Sequence, residues 1–390
     1  MRRLVALSVV ALLAAGGCGS GGTNGSDPDA TLRIGMLVSL TGVYKSIGAD
    51  IKYGFQLYLD THGGKLGGHP IELRTADEGD GAQTALPAAT KLVKDDKILA
   101  LTGVVGGGSV AAVAPVLTEA KIPLVGANGR PELKDVSRIW HTSYVSGEPG
   151  AALAQYVKAN VAGPVFAIGP DYQGGYDEVR GFTEAFTKLG GKLANPGGKP
   201  TYTPFPATTN FAPVLASAKA SGAKAVYAFY AGQAAIDFVR SYAQSAAAGI
   251  PLYGAGFLTE GSVLAEEGDA ARNISTVLNY SPDLDNQANR GFVAAWKSAH
   301  PDLPVTTYAM AGYDAAAVLD HAIAGAGRRV TPETINAAIG RIGQIDSPRG
   351  PWQFGQKSHA PVQKWYLRQV RPDGRALSNV VVQDLATLGS

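Results

Sequence analysis

Short apolar runs alternate with amphipathic stretches from residue 32 onward. Leu32-Arg33-Ile34-Gly35-Met36-Leu37-Val38 is almost continuously apolar and predicts a buried strand. Ile51, Phe55, Tyr58 and Leu59 then recur at helical spacing. The pattern predicts further strands at 70–76, 98–102 and 122–125, with helices at 82–93 and from 110 to 120. The same order returns in a second half. Strands are predicted at 165–168, 225–229 and 252–253, and helices at 174–189 and 234–247. Helical patterns follow at 289–299, 308–324 and 332–339, and strand patterns at 352–354 and 362–370. This βα alternation predicts an α/β protein of two Rossmann-like lobes with parallel sheets and a hinged cleft between them. Elements that resume after the second half predict that the chain crosses between lobes more than once.

In open α/β sheets, ligands bind beyond the carboxyl ends of the strands. The loops to watch are therefore 39–48, 103–109 and 126–130 in the first half, and 170–176, 230–233 and 254–259 in the second. Two such sets facing each other make a cleft that closes about a hinge.

The first 30 residues change the compartment. Arg2 and Arg3 precede an apolar run over 4–15 that ends in Gly16-Gly17-Cys18. A membrane-spanning helix needs about 20 apolar residues, so the run reads as a signal peptide. Cys18 is the only cysteine. An odd cysteine in a secreted chain needs a reason, and lipidation supplies one. Residues 19–30 are rich in Gly, Ser, Asn and Asp and suit a flexible tether. Removing Arg2 and Arg3 leaves 32 basic residues against 32 acidic ones, which argues against nucleic acid as a partner. The expected division is a signal peptide at 1–17 and a tether at 18–30. The first lobe takes 31–147 with 283–352, and the second 148–282 with 353–386.

The chemistry within the loops points to binding. Gly106-Gly107-Gly108-Ser109 precedes a helix, whose free N–H groups and positive dipole end suit a carboxylate. The competing reading is a tight turn with Ser109 as the cap. Tyr172 is placed to cover a ligand and Asp171 or Gln173 to bond one. The competing reading there is turn chemistry, to which Asp177 is assigned. After the strand at 225–229, Tyr230 and Gln233 are expected at the cleft and Phe229 in the core. Phe257 is either a cleft wall or a core side chain.

Catalytic and metal signatures are missing. There is no His-Glu-x-x-His and no Gly-x-Ser-x-Gly, and Cys18 is far from any site loop. His62, His69, His141, His300, His321 and His359 are scattered without ligand spacing. His141, near the expected lobe crossing, is the one histidine to follow. No metal, no cofactor and no enzymatic activity are expected.

Several segments resemble the leucine/isoleucine/valine-binding protein family. They are Leu32–Gly42, residues 122–133, the Asp171-Tyr172 loop with Gly175, and Ser347-Pro348-Arg349-Gly350. The resemblance spans nearly all of 31–384. It implies a type I periplasmic-binding fold with three crossovers and a lipoprotein receptor, expected monomeric, that delivers a solute to an ABC permease. The alternative reading is an extracellular sensor of an amide or amino acid. The resemblance puts the family's carboxylate site on Gly107, Gly108 and Ser109, and the next contact loop on Ala127, Asn128 and Gly129. Its first-loop tyrosine falls near Ile47, with Tyr44 beside it. Its second-lobe tyrosines fall near Gly174 and on or beside Tyr230. The acid that holds an α-amino group in amino-acid binders falls near Gly256, so that acid is missing unless Asp171, Asp77 or Glu260 replaces it. A branch of the family with a similar Ser-Pro-Arg-Gly segment is linked to aromatic carboxylates. Tyr44, Tyr172, Tyr230 and Phe257 would suit such a ligand, and Arg130 either assists a carboxylate or lies at the surface.

Overall fold

The computed structural model describes residues 30–390. The expected signal peptide and nearly all of the tether, including Cys18, lie outside the described residues.

The first sheet is built from β1 (Leu32–Val38), β2 (Lys65–Leu66), β3 (His69–Asp77), β4 (Ala100–Gly103), β5 (Leu124–Gly126) and β6 (Ile139–His141). Its order is β2-β3-β1-β4-β5-β6, and all neighbours are parallel except β2 with β3. β1 lies centrally, so its faces are both covered and its side chains are apolar almost throughout. Helices α1 (Lys45–Thr61), α2 (Ala82–Lys94) and α3 (Gly107–Glu119) connect these strands.

The second sheet contains β7 (Val165–Asp171), β8 (Thr201–Pro204), β9 (Ala225–Ala228), β10 (Leu252–Ala255) and β11 (Ser275–Leu278), all joined in parallel. Its helices are α4 (Glu148–Asn160), α5 (Gln173–Lys188), α6 (Ala212–Ala220), α7 (Gln233–Gln244) and α8 (Ser262–Glu267). The chain then returns to the first lobe as α9 (Gln287–Ala299), α10 (Thr307–Ala324) and α11 (Pro332–Ile339). α10 packs on α1 so closely that a Cβ at Gly54 would lie 1.9 Å from the Ala309 carbonyl oxygen, and one at Gly312 2.2 Å from that of Ile51. Strands β12 (Gln353–Phe354), β13 (Pro361–Asp373) and β14 (Ala376–Leu388) complete the second sheet.

The chain thus passes between lobes three times: after β6, after β11 and after α11. The parallel core of the second sheet continues into an antiparallel edge, because β13 runs against β11, β12 and β14. β14 has no counterpart in the sequence pattern. It is an edge strand whose residues are exposed or half-buried throughout, so it shows no clean apolar alternation.

No helix among the described residues is long and apolar enough to cross a membrane.

Candidate functional site

The loop after β3 holds the cleft loops of the first lobe in place. Asp77 accepts the Leu40 N–H at 2.8 Å and the Thr41 hydroxyl at 2.6 Å. Asp80 accepts the Val43 N–H at 2.9 Å. Gly42, at φ +78°, passes so near that a Cβ there would sit 1.8 Å from the Asp80 carboxylate, so only glycine fits. Glu78 turns the other way. Its carboxyl accepts the N–H groups of Val105 at 2.6 Å and Gly106 at 2.7 Å, just ahead of α3. Burial pushes the Glu78 carboxyl up to about 7, opposed by those two hydrogen bonds.

With Val105 and Gly106 occupied by Glu78, the next N–H groups of α3 remain. A helix leaves its first N–H groups without intrahelical partners, and those of Gly107 and Gly108 have no acceptor here. Gly107 faces the cleft and Gly108 is not among its lining residues. Asn128 closes this side, with its amide donating to the Val105 carbonyl at 2.8 Å and the Tyr144 hydroxyl meeting it at 3.4 Å.

Aromatic rings form most of the remaining wall. The Tyr44 ring stacks on Phe205 of the other lobe at 5.9 Å, and its hydroxyl lies beside that of Tyr172. Phe257 lies 5.5 Å from Tyr144, 5.9 Å from Phe229 and 6.0 Å from Tyr308. Ile47, Gly129 and Gly174 complete the contacts expected from the sequence. Between them is a cavity of about 40 Å³, lined from both lobes.

Four expected site residues stand elsewhere. Tyr230 points to the far side of the second sheet, where its hydroxyl meets Thr203 at 3.0 Å and its ring packs on Phe211 and Phe238. Phe229 takes the cleft instead, reversing the expected pair. Neighbouring residues of an extended segment face opposite ways, so a one-residue shift exchanges core for cleft. Ala127 is packed in the core, and Ser109 is fully buried behind the loop, its hydroxyl beside the Glu78 carboxyl. Gly108 presents backbone only, just beyond the wall.

Other candidates resolve similarly. Arg130 is buried, donating to the carbonyls of Pro131 and Ser358, so it is neither a ligand arm nor a surface residue. His141 is fully buried with Nδ1 on the Asn128 carbonyl at 2.8 Å. Burial, then Arg130, pulls it down to about 3, so it is neutral and supports the Asn128 loop. Among the described residues no group of three or more His, Cys, Asp or Glu side chains is placed to hold a metal ion.

None of the three acids weighed as substitutes reaches the cleft. Asp77 is used in the loop, Asp171 bonds the Tyr176 hydroxyl, and Glu260 pairs with buried Arg368 at 2.9 Å while accepting the Thr307 N–H at 2.7 Å. A Cβ at Gly256 would lie 2.6 Å from Arg368 Nη2. Neither Gly256 nor Arg368 lines the cleft.

The wall also holds Tyr144, Ser146, Glu178, Phe229 and Tyr308, which the sequence pattern did not single out for it, while Val105, Gly106 and Ala231 fall within the ligand loops it named. Tyr144 and Ser146 lie in the first crossover and Tyr308 at the start of α10, places that strand-end reasoning does not reach. Glu178 gave a signal only as one member of the amphipathic α5.

A family model described as periplasmic binding protein matches residues 31–375. Leu/Ile/Val-binding protein homolog 6 of Brucella melitensis is 27% identical over 348 residues, covering 87% of each chain. An ABC-transporter solute-binding protein from R. palustris, solved in complex with benzoate, is 31% identical with a TM-score of 0.84, covering 93% of this chain and 98% of that one. A second R. palustris solute-binding protein, in complex with 4-hydroxybenzoate, is 26% identical with a TM-score of 0.83, covering 92% and 98%.

Proposed function

The chain belongs to the periplasmic binding protein family, extracytoplasmic solute receptors of ABC transporters and not enzymes, and on that premise we propose that its solute is a small aromatic carboxylate. One observation carries this reading. The cleft is walled by Tyr44, Tyr144, Tyr172, Phe229, Phe257 and Tyr308, and Gly107, whose N–H is unpaired, lines it with them. Rings bury an aromatic ligand by stacking and edge contacts, and the α3 N-terminus takes its carboxylate. Of the acids the sequence offers for an α-amino group, Asp77, Asp171 and Glu260, none lines the cleft, and a buried ammonium without a counter-charge is costly. The benzoate and 4-hydroxybenzoate complexes of similar proteins support the same ligand class.

The ligand bridges the lobes, so binding favours the closed form that docks on the permease. The receptor works as a monomer, tethered to the membrane through lipid on Cys18. Exchange of Cys18 for serine should release it into the soluble fraction, and retention at the membrane would remove the anchor from this reading.

A thermal-shift series tests the solute. Benzoate and 4-hydroxybenzoate at 100 times their dissociation constants should each stabilise the fold by about 2.7 kcal/mol. Stabilisation by leucine or valine with none by either aromatic acid would sink the reading.

A further inference from the structure

We propose that Glu178 reads a hydroxyl on the ligand, so that the cleft separates hydroxylated aromatic acids from their unsubstituted parents. This rests on the aromatic-carboxylate reading above and names the residue that refines it.

Glu178 stands on α5, in the second lobe, and its side chain lines the cavity while the residue is only 2% exposed. Its Oε2 is enclosed without a hydrogen-bond partner, and no bond among the described residues reaches its carboxyl. Buried polar groups are almost always paired, so one left open at a ligand cleft is completed by the ligand.

The groups around it decide what kind of ligand atom that is. Asp177 on α5 and Glu148 on α4 act on it, and it in turn acts on the hydroxyls of Tyr144, Tyr172 and Tyr227. No basic side chain acts on it. Asp177 already has Arg180 at 2.8 Å. Burial, reinforced by the two acids, pushes the Glu178 carboxyl well above the usual carboxylate range. A protonated carboxyl offers one donor and an acceptor, and a phenolic hydroxyl offers the same, so the two complement each other without charge. Position agrees. Gly107 and Glu178 belong to opposite lobes across the cavity. An α-amino group is one bond from the carbon bearing the carboxylate and would stay near Gly107. A ring hydroxyl extends away from the carboxylate, toward the second lobe.

The test is calorimetric titration of the purified protein and two variants, Glu178→Gln and Glu178→Leu, with benzoate and 4-hydroxybenzoate. The wild type should prefer 4-hydroxybenzoate by about tenfold, the scale of one buried hydrogen bond. Glu178→Leu should erase that preference, lowering affinity for 4-hydroxybenzoate by about tenfold relative to benzoate. Glu178→Gln, nearly isosteric, should keep part of it, and melting curves confirm that both variants are folded. A wild type without preference, a preference unchanged in both variants, or an equal loss of both ligands in folded Glu178→Leu overturns the assignment while leaving the aromatic-carboxylate reading intact. A wild type that binds neither acid overturns that reading, and this one with it. Tight leucine binding lost on Glu178→Leu would assign the carboxyl to an ammonium and overturn the hydroxyl role.

Discussion

Arg349 and Asp314 form an ion pair at 2.5 Å, with side chains 2% and 1% exposed. The Arg349 guanidinium also donates to the Thr142 carbonyl and to Gln363 Oε1, and the Ser347 hydroxyl donates to Asp314 at 2.7 Å. Gln363 in turn accepts from Asn279 at 2.9 Å and donates to the Ser143 carbonyl. Thr142 and Ser143 belong to the first crossover, Asn279 to the second, and Ser347 with Arg349 to the third. The Ser-Pro-Arg-Gly segment therefore ties all three crossovers at one buried point.

Breaking that point should be expensive. Removing one partner of a buried pair strands the other charge, at about 3–5 kcal/mol. Arg349→Met should lower the free energy of unfolding, measured by urea titration, by that amount. Arg349→Met combined with Asp314→Leu should cost less than the single change, because no charge is stranded. A single variant as stable as the wild type would show that the pair is energetically neutral.

Glu78 makes anion binding depend on pH. Its carboxyl, pushed up to about 7 by burial, lies just behind the N–H groups proposed for the ligand carboxylate. Ionised Glu78 repels that carboxylate, so affinity for benzoate should fall as pH rises from 6 to 8. If the ligand raises the Glu78 pKa by one unit, the fall is about tenfold. Glu78→Gln should flatten the profile measured by calorimetry. For stability the sign is the same. A carboxyl raised in the folded state contributes stability below its unfolded value that is lost as pH climbs through about 7.

Phe229 and Tyr230 should separate binding from stability. Phe229→Leu removes a cleft ring and should weaken an aromatic ligand by about tenfold or more. Tyr230→Phe removes only the hydroxyl that meets Thr203, costing about 1 kcal/mol of stability with ligand affinity unchanged. A binding loss in Tyr230→Phe that matches Phe229→Leu would contradict the placement of both rings.

Ser109→Ala provides the complementary case. The hydroxyl is buried beside the Glu78 carboxyl and does not line the cleft, so its removal should leave benzoate affinity within about twofold. A tenfold loss in titration would return Ser109 to the ligand site.

The order of elements was legible from the chain itself. β1 and β4 are apolar runs because sheets covered on both faces need them, and the helices between them show their periodicity. Gly106 to Ser109 also announced a helix start, and the missing catalytic signatures matched a binding family. β14 and β8 were not legible, being short or half-exposed. Which of Phe229 and Tyr230 faces the cleft was beyond reach too, since a strand ending one residue earlier or later exchanges them.

Sequence by itself determined what is local: period, propensity, turn chemistry and the residue types available in each loop. Tertiary structure decided what depends on distance across the chain. It set Glu78 behind a helix that starts 29 residues later, and Arg368 beside Gly256. It also buried Glu178 among acids and tyrosines with no cation beside it. Charge, burial and partnership are properties of these meetings. No residue carries them alone, because desolvation and hydrogen bonding depend on what the folded chain places around it.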